Sequence, residues 1–183
     1  YGPDVTICGG EDRYYPCKFE NEFIPKIGDL EELIDENTVA ILYNFPSNPT
    51  GGTLTDAQRD SLLDFARRHD LWIISDEVYD RIVFDGKHVS FMGVDYDKVL
   101  IVNSFSKTFA MTGWRIGYII STNTEAMSQI IKMQYYITAC SNDAMQYAVL
   151  AAMEKAPDYP DLIAKEFKER CDLIVDRLNE MPG

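Results

Sequence analysis

Histidine and cysteine, the residues that typically bind zinc or form disulfides, are scarce in this sequence. It contains two histidines and four cysteines, and no pair of cysteines has the Cys-x-x-Cys spacing. A metal site is therefore not expected, because structural zinc sites draw on closely spaced cysteine and histidine ligands. Scattered cysteines in a chain without a secretory signal pattern are typical of reduced thiols, so we expect a cytoplasmic protein.

Long hydrophobic runs and positive charge are scarce as well. No apolar stretch approaches the ~18 residues that a membrane-spanning helix requires, so a membrane partner is not expected. Lysine and arginine together number 17 against 30 acidic residues, which gives a net charge of −13. Without a basic stripe to pair with phosphates, nucleic acid is not expected as a partner either.

What the sequence does contain is the composition of an ordinary globular domain, with 46% hydrophobic and 26% charged residues over 183 positions. That length is enough to bury one core. Apolar runs predict strands, the first of them buried on both faces, at 39–43, 71–74, 99–102 and 116–120. Helical patterns lie at about 55–69, 122–136, 142–155 and 161–180. This alternation predicts an α/β fold of three layers, α/β/α, with a mostly parallel sheet.

Local signals predict where several elements begin. Two pairs have the spacing of a capping box, Thr55 with Gln58 and Thr122 with Glu125. Asp29 is the expected N-cap of a short amphipathic helix over 30–34. Before it, apolar β-branched and aromatic residues at 5–8 and 13–19 favour extended segments, with a turn at the glycines between them.

Polar side chains follow three of the predicted strands, at the point where each strand ends. They are Asn48 after the first strand, Asp76 and Tyr79 after the second, and Ser104 and Lys107 after the third. Arg115 comes eight positions after Lys107. Because the carboxyl ends of parallel strands meet at one edge of a sheet, where open α/β sheets bind their ligands, we expect these groups to form one cluster.

Three segments of the chain, in this order, resemble the markers of a known family. The stretch 104–118 resembles the pyridoxal-phosphate attachment segment of the class I and II aminotransferases, which are of fold type I and aspartate aminotransferase-like. The segments 48–51 and 75–79 resemble two further markers of that family. The resemblance runs from near the first residue to 121 and more loosely to the end. It implies the central part of a large cofactor domain.

The resemblance also implies a cofactor, pyridoxal 5′-phosphate (PLP), and a role for each residue of the cluster. Lys107 would form the Schiff base with PLP and carry the substrate proton, and Asp76 would pair with the pyridine nitrogen. Asn48 and Tyr79 would contact the ring 3-oxygen. Ser104 and Arg115 would hold the phosphate. Lys107, Asp76 and Tyr79 are thus the expected catalytic residues. The ordinary structural alternatives are a helix N-cap for Asp76 and a turn at Asn48, which precedes proline.

The activity implied by the resemblance is transfer of an amino group between an amino acid and a 2-oxo acid, in amino-acid metabolism and by a homodimer. Two alternatives remain open. One is a PLP-dependent carbon–sulfur β-lyase of the same fold, which would share Lys107 and Asp76. The other is a PLP-sensing domain of a transcription regulator. A basic helix-turn-helix domain upstream would mark such a regulator, and this sequence does not contain one.

Enzymes of this family are considerably longer, so we expect a fragment. Residues 1–156 would be part of the PLP-binding large domain, and 157–183 a helix leading towards a small C-terminal domain. The phosphate-binding loop and the arginine for the substrate carboxylate have no match here, and Tyr1 is left without a role. We therefore expect weak cofactor binding and no turnover by this polypeptide alone.

Overall fold

The computed structural model describes residues 1–182, whose strands form one four-stranded sheet in the order β1-β2-β3-β4. The strands are β1 (Ala40–Asn44), β2 (Trp72–Asp76), β3 (Val99–Ser104) and β4 (Gly117–Ile120). The first three are parallel, and β4 is antiparallel to β3. The predicted α/β fold with a mostly parallel sheet is confirmed.

Seven α-helices accompany the sheet in the described part of the chain. They are α1 (Gly2–Ile7), α2 (Ile27–Glu31), α3 (Asp56–Arg68), α4 (Phe105–Thr108), α5 (Thr124–Thr138), α6 (Asp143–Lys155) and α7 (Tyr159–Asn179). Short 3-10 helices occupy Phe19–Asn21 and Thr112–Trp114. No helix of the described residues is both long enough and apolar enough to cross a bilayer.

The first segment of the chain is helical, so the expectation of an extended run at 5–8 was wrong. Pro3 lies in the first turn of α1, where its fixed φ favours a helix. The glycines then end the helix: the amide of Gly10 donates to the carbonyl of Val5 at 2.9 Å, and that of Gly9 to Thr6 at 3.0 Å. Gly9 has φ +79°, the left-handed conformation that this helix ending requires.

Two of the predicted helix starts also need correction, whereas a third is confirmed. Helix α2 covers Ile27–Glu31 and not 30–34: it begins after Lys26, whose backbone is extended, so Asp29 lies inside the helix and is not its N-cap. Helix α5 is capped by the side chain of Asn123, which accepts from the amide of Ala126 at 2.9 Å, and not by a capping box. The capping box at the start of α3 forms as expected.

Strands β1 to β3 are closely covered on one face only. Their fully buried positions alternate along the strand and fall in register with one another; they include Ile41, Tyr43, Ile73, Ser75, Val99 and Ile101. This face joins the buried side of α3 in one core cluster. The opposite face, with Leu42 and Ile74, is half-buried. Burial on both faces was therefore a wrong expectation, because apolar composition shows what a strand can bury and not what covers it.

The start of α7 contacts the segments that follow β2 and β3. The rings of Phe109 and Tyr159 stack with centroids 6.2 Å apart and planes 7° apart. Arg81 Nη2 pairs with Asp161 at 2.8 Å. The break between α6 and α7 falls at the boundary expected near 156, although the division into two domains stays a prediction.

Candidate active site

The three parallel strands end side by side, and their last residues share a face of the sheet. Asn44 of β1 is the register partner of Asp76 of β2, and Val102 of β3 is the next partner across. Since side chains alternate along a strand, Asn44, Asp76 and Ser104 all lie on the half-buried face. The sheet thus brings the loop after β1, the turn after β2 and helix α4 to one edge.

An amide, a phenol and an amine come together at this edge. Asn48 Nδ2 donates to the hydroxyl of Tyr79 at 3.2 Å. The ammonium nitrogen of Lys107 lies 5.6 Å from the centroid of the Tyr79 ring, within the range of a cation–π interaction. The loop after β1, the turn after β2 and helix α4 thus each contribute one residue to a single contact series that spans 59 positions of the chain.

Asp76 is half-buried, and both of its carboxylate oxygens accept hydrogen bonds. Oδ1 accepts from the amide of Val78 at 3.1 Å, and Oδ2 accepts from the hydroxyl of Tyr1. Burial and the bond to Asp76 raise the pKa of Tyr1 above its ordinary value, so this phenol is a donor at neutral pH. Asp76 does not cap a helix; the amide it holds belongs to the turn after β2.

Tyr1 and Asn44 are contacts of the site that the sequence did not reveal. Asn44 Nδ2 donates to the carbonyl of Asp76 at 3.2 Å, and Asn44 Oδ1 accepts from the amide of Asn48 at 3.0 Å. This one side chain therefore connects two predicted site residues. Its signal was its place at the end of β1, within a stretch interpreted only as a loop. Tyr1 had no usable signal, since it lies 75 positions from Asp76.

Ser104 lies close to the backbone next to Arg115, on the two sides of the segment that contains α4. Ser104 is the N-cap of α4, and its Oγ accepts from the amide of Ser106 at 3.1 Å. The same hydroxyl lies 3.1 Å from the carbonyl of Ile116, the residue after Arg115. Arg115 is exposed, has φ 56°, and donates to the carbonyl of Thr112 at 2.8 Å. A non-glycine residue in this conformation is strained, which is common at functional sites.

The donor set suits PLP, which requires an amine, an anion opposite its ring nitrogen, donors for its ring oxygen and cationic or hydroxyl groups for its phosphate. Lys107, Asp76, the Asn48–Tyr79 pair, Ser104 and Arg115 supply these groups in turn. A cavity of about 490 Å³ opens beside Asn48 and Tyr79 and continues along Phe84 to Cys171 of α7. Asp76 and Lys107 do not line this cavity, so it adjoins the cluster and does not coincide with it.

Comparison with known proteins identifies the family. The model of the family "Aminotransferase class I and II" matches residues 1–183. The aromatic-amino-acid aminotransferase 2 of Thermococcus litoralis is 37% identical over 186 residues, which are 99% of this chain and 48% of that protein. The aspartate aminotransferase of Pyrococcus abyssi is 38% identical, with the same coverage of 99% and 48%.

Solved structures agree with these sequence matches. An aromatic aminotransferase from Pyrococcus horikoshii superimposes with a TM-score of 0.92 at 35% identity, covering 98% of this chain and 49% of that one. The aspartate aminotransferase of Thermotoga maritima gives 0.90 at 34% identity, covering 98% and 48%. The chain thus spans about half the length of the curated relatives it matches. Because the family model matches all of residues 1–183, the chain belongs to the class I and II aminotransferases.

Proposed function

We propose that the protein to which this chain belongs is a PLP-dependent aminotransferase that moves an amino group between an amino acid and a 2-oxo acid. The observation that carries the proposal is the contact series of Asn48, Tyr79 and Lys107 beside the doubly hydrogen-bonded Asp76. The relatives named as aspartate and aromatic aminotransferases support it.

Each residue has a defined task in this proposal. PLP, when bound, supplies an electron-withdrawing ring that makes the Cα–H bond of the substrate acidic. Lys107 attaches the cofactor and then removes and returns the Cα proton with its free amine. The aromatic face of Tyr79 lies 5.6 Å from the nitrogen of Lys107 and helps to position this amine.

The remaining residues orient the cofactor. Asp76 would pair with the ring nitrogen of the cofactor and favour its protonated form, and its two hydrogen bonds fix the direction of its oxygens. The hydrogen bond from Asn48 fixes the phenol of Tyr79, so that both groups can bind the ring 3-oxygen. Ser104 and Arg115 bind the phosphate, for which the planar guanidinium offers two parallel donors.

The test is an assay of the full-length protein with an amino acid and 2-oxoglutarate. An aminotransferase forms a new amino acid, whereas a carbon–sulfur β-lyase forms pyruvate and ammonia without one. In the Lys107→Ala variant we expect turnover to fall by about 10²- to 10⁴-fold, as for loss of a positioned acid–base group. The variant should also lose the bond to the cofactor that borohydride traps.

Lys87→Ala is the matched control, because Lys87 is an exposed lysine whose carboxylate neighbour, Asp56, lies 3.7 Å away. It should retain both turnover and the trapped bond. A trapped bond that persists in Lys107→Ala would remove the assignment of Lys107. Pyruvate and ammonia as the only products would favour the lyase.

We further propose that the full-length protein is a cytoplasmic homodimer. All four cysteines are free thiols, which agrees with a reducing compartment. Large apolar side chains are exposed along α5, among them Ile131, Tyr135 and Ile137 at 64–69% exposure, which suits a surface covered in the complete protein. Light scattering of the full-length protein at micromolar concentration tests this: a monomer mass would contradict it.

A further inference from the structure

Glu77 is a buried carboxylate that the proposed reaction does not use. Its side chain is 4% exposed, and four groups surround its two oxygens. Oε1 accepts from Ser75 Oγ at 2.9 Å and from the amide of Phe91 at 3.0 Å. Oε2 accepts from Ser90 Oγ at 2.6 Å and lies 2.8 Å from His88 Nε2.

These contacts keep the carboxylate charged in an environment that disfavours charge. Burial by itself would raise the pKa of Glu77, but the hydrogen bonds from His88, Ser90 and Phe91 outweigh it, and the pKa lies below its ordinary value. Three of these contacts, from His88, Ser90 and Phe91, join the end of β2 to the segment 88–91, which has no helix or strand of its own. Glu77 is therefore an anchor between two parts of the chain.

The backbone of Glu77 connects this anchor to the candidate active site. Its amide donates to the carbonyl of Val102 at 2.9 Å, which holds the end of β2 against β3. Its carbonyl accepts from the amide of Asp80 at 2.9 Å and so closes the turn that contains Tyr79. Asp76 is the preceding residue, and strand alternation directs its side chain to the opposite face.

We propose that Glu77, held by His88 and Ser90 on the buried side of the sheet, is a positioning residue that fixes the active-site geometry of Asp76 and Tyr79. The proposal rests on the proposed aminotransferase function. Glu77 acts through the backbone: a loosened side chain lets the strand end and its turn move, and both active-site side chains move with them. A displacement of about 1 Å can cost on the order of 10²-fold in rate.

The test compares Glu77→Gln with Glu31→Gln in the full-length holoenzyme. Glu31 is the matched control, because it also faces a histidine, His69, at 2.7 Å, but on α2 and away from the sheet edge. For Glu77→Gln we expect kcat per bound cofactor to fall about 10- to 100-fold with KM for the amino acid nearly unchanged. The pH titration of the cofactor absorbance should shift as well. Glu31→Gln should change neither.

A second readout does not depend on the loaded enzyme. In the apoprotein, amide hydrogen exchange at 76–80 should become faster in Glu77→Gln and, to a smaller extent, in Ser90→Ala, which removes the 2.6 Å donor to Glu77 and the acceptor of the Met92 amide. If Glu77→Gln does not fold, Ser90→Ala decides, with an expected fall in kcat of a few-fold. Unchanged kcat, titration and exchange would overturn the proposal, even with a lowered melting temperature. A wild-type protein without transamination would instead refute the proposed function.

Discussion

Replacing Tyr43 by phenylalanine should stabilise the protein. Tyr43 lies in the middle of the core face of β1 with 0% exposure, and its ring stacks on Phe91 with centroids 5.5 Å apart and planes 11° apart. Its hydroxyl is buried but finds no hydrogen-bond partner in the described part of the chain. Burial raises the pKa of Tyr43 above its ordinary value, so the hydroxyl remains neutral and is not rescued by ionisation.

The expected gain follows from the cost of that hydroxyl. A buried hydroxyl without a hydrogen bond costs about 1–3 kcal/mol in proteins. Phenylalanine keeps the stacked ring and removes one oxygen. The small void left by that oxygen costs some van der Waals contacts, and this loss offsets part of the gain in stability. We therefore expect Tyr43→Phe to raise the free energy of unfolding by about 1 kcal/mol.

The neighbouring Tyr15 provides a control of opposite sign. Its ring lies 6.4 Å from that of Tyr43, but its hydroxyl donates to the carbonyl of Leu42 at 2.7 Å. Removing a satisfied hydroxyl loses a hydrogen bond, so Tyr15→Phe should lower the free energy of unfolding by about 1 kcal/mol. The same chemical change thus has opposite effects at adjacent rings.

Urea unfolding of the full-length apoprotein, followed by circular dichroism, measures both variants. With m near 2 kcal/mol per molar urea, the two midpoints should move in opposite directions by about 0.5 M. An unchanged m value shows that stability itself has changed. A lower midpoint for Tyr43→Phe than for the wild type would refute the reasoning, because it would show that the hydroxyl is stabilising.

Three other predictions concern the site, a helix cap and acid stability. Asn44→Ala removes both side-chain bonds that join Asp76 to the loop after β1, so cofactor affinity should fall about tenfold in an absorbance titration of the apoprotein. Thr55→Ala removes the capping box with Gln58 and should cost about 1 kcal/mol in urea unfolding without changing that affinity. Because the pKa of Glu77 is lowered by folding, its charge stabilises the protein above about pH 4.3. This contribution is lost as pH falls through the folded-state pKa, so urea midpoints below about pH 4 should fall more steeply in the wild type than in Glu77→Gln.

The strands were predictable, because apolar runs are local properties of the chain; their order across the sheet was not predicted. The cap of α3 was predictable for the same reason, since Thr55 and Gln58 are three positions apart. The helix at Gly2–Ile7 was not, because its apolar and β-branched residues have no periodicity over so short a segment. There, the proline and the glycine pair outweighed β-propensity.

The residues of the candidate site also divide into those that local sequence predicts and those that only long-range contacts reveal. The lysine, aspartate and tyrosine were predicted as one cluster because each lies at or after a strand end within a family motif, and the sheet brings those strand ends to one edge. Their roles in the reaction stay a prediction. Tyr1 and Asn44 were missed because their roles depend on contacts across 75 and 32 positions. Glu77 lies inside a recognised motif, yet its importance depends on Ser90 and Phe91, whose positions only the folded loop determines.

Helix α7 is held by side-chain contacts at its first turn, so its two ends move by different amounts when it tilts. With 21 residues and a rise of 1.5 Å per residue, it extends for about 30 Å. Stacking at Tyr159 and the ion pair at Asp161 hold the N-terminal end of the helix in place. A tilt of about 5° about this end displaces the C-terminal end by about 3 Å, while the N-terminal end hardly moves. Phe109, which stacks on the held end, therefore moves far less than the last turn of α7 when the helix tilts.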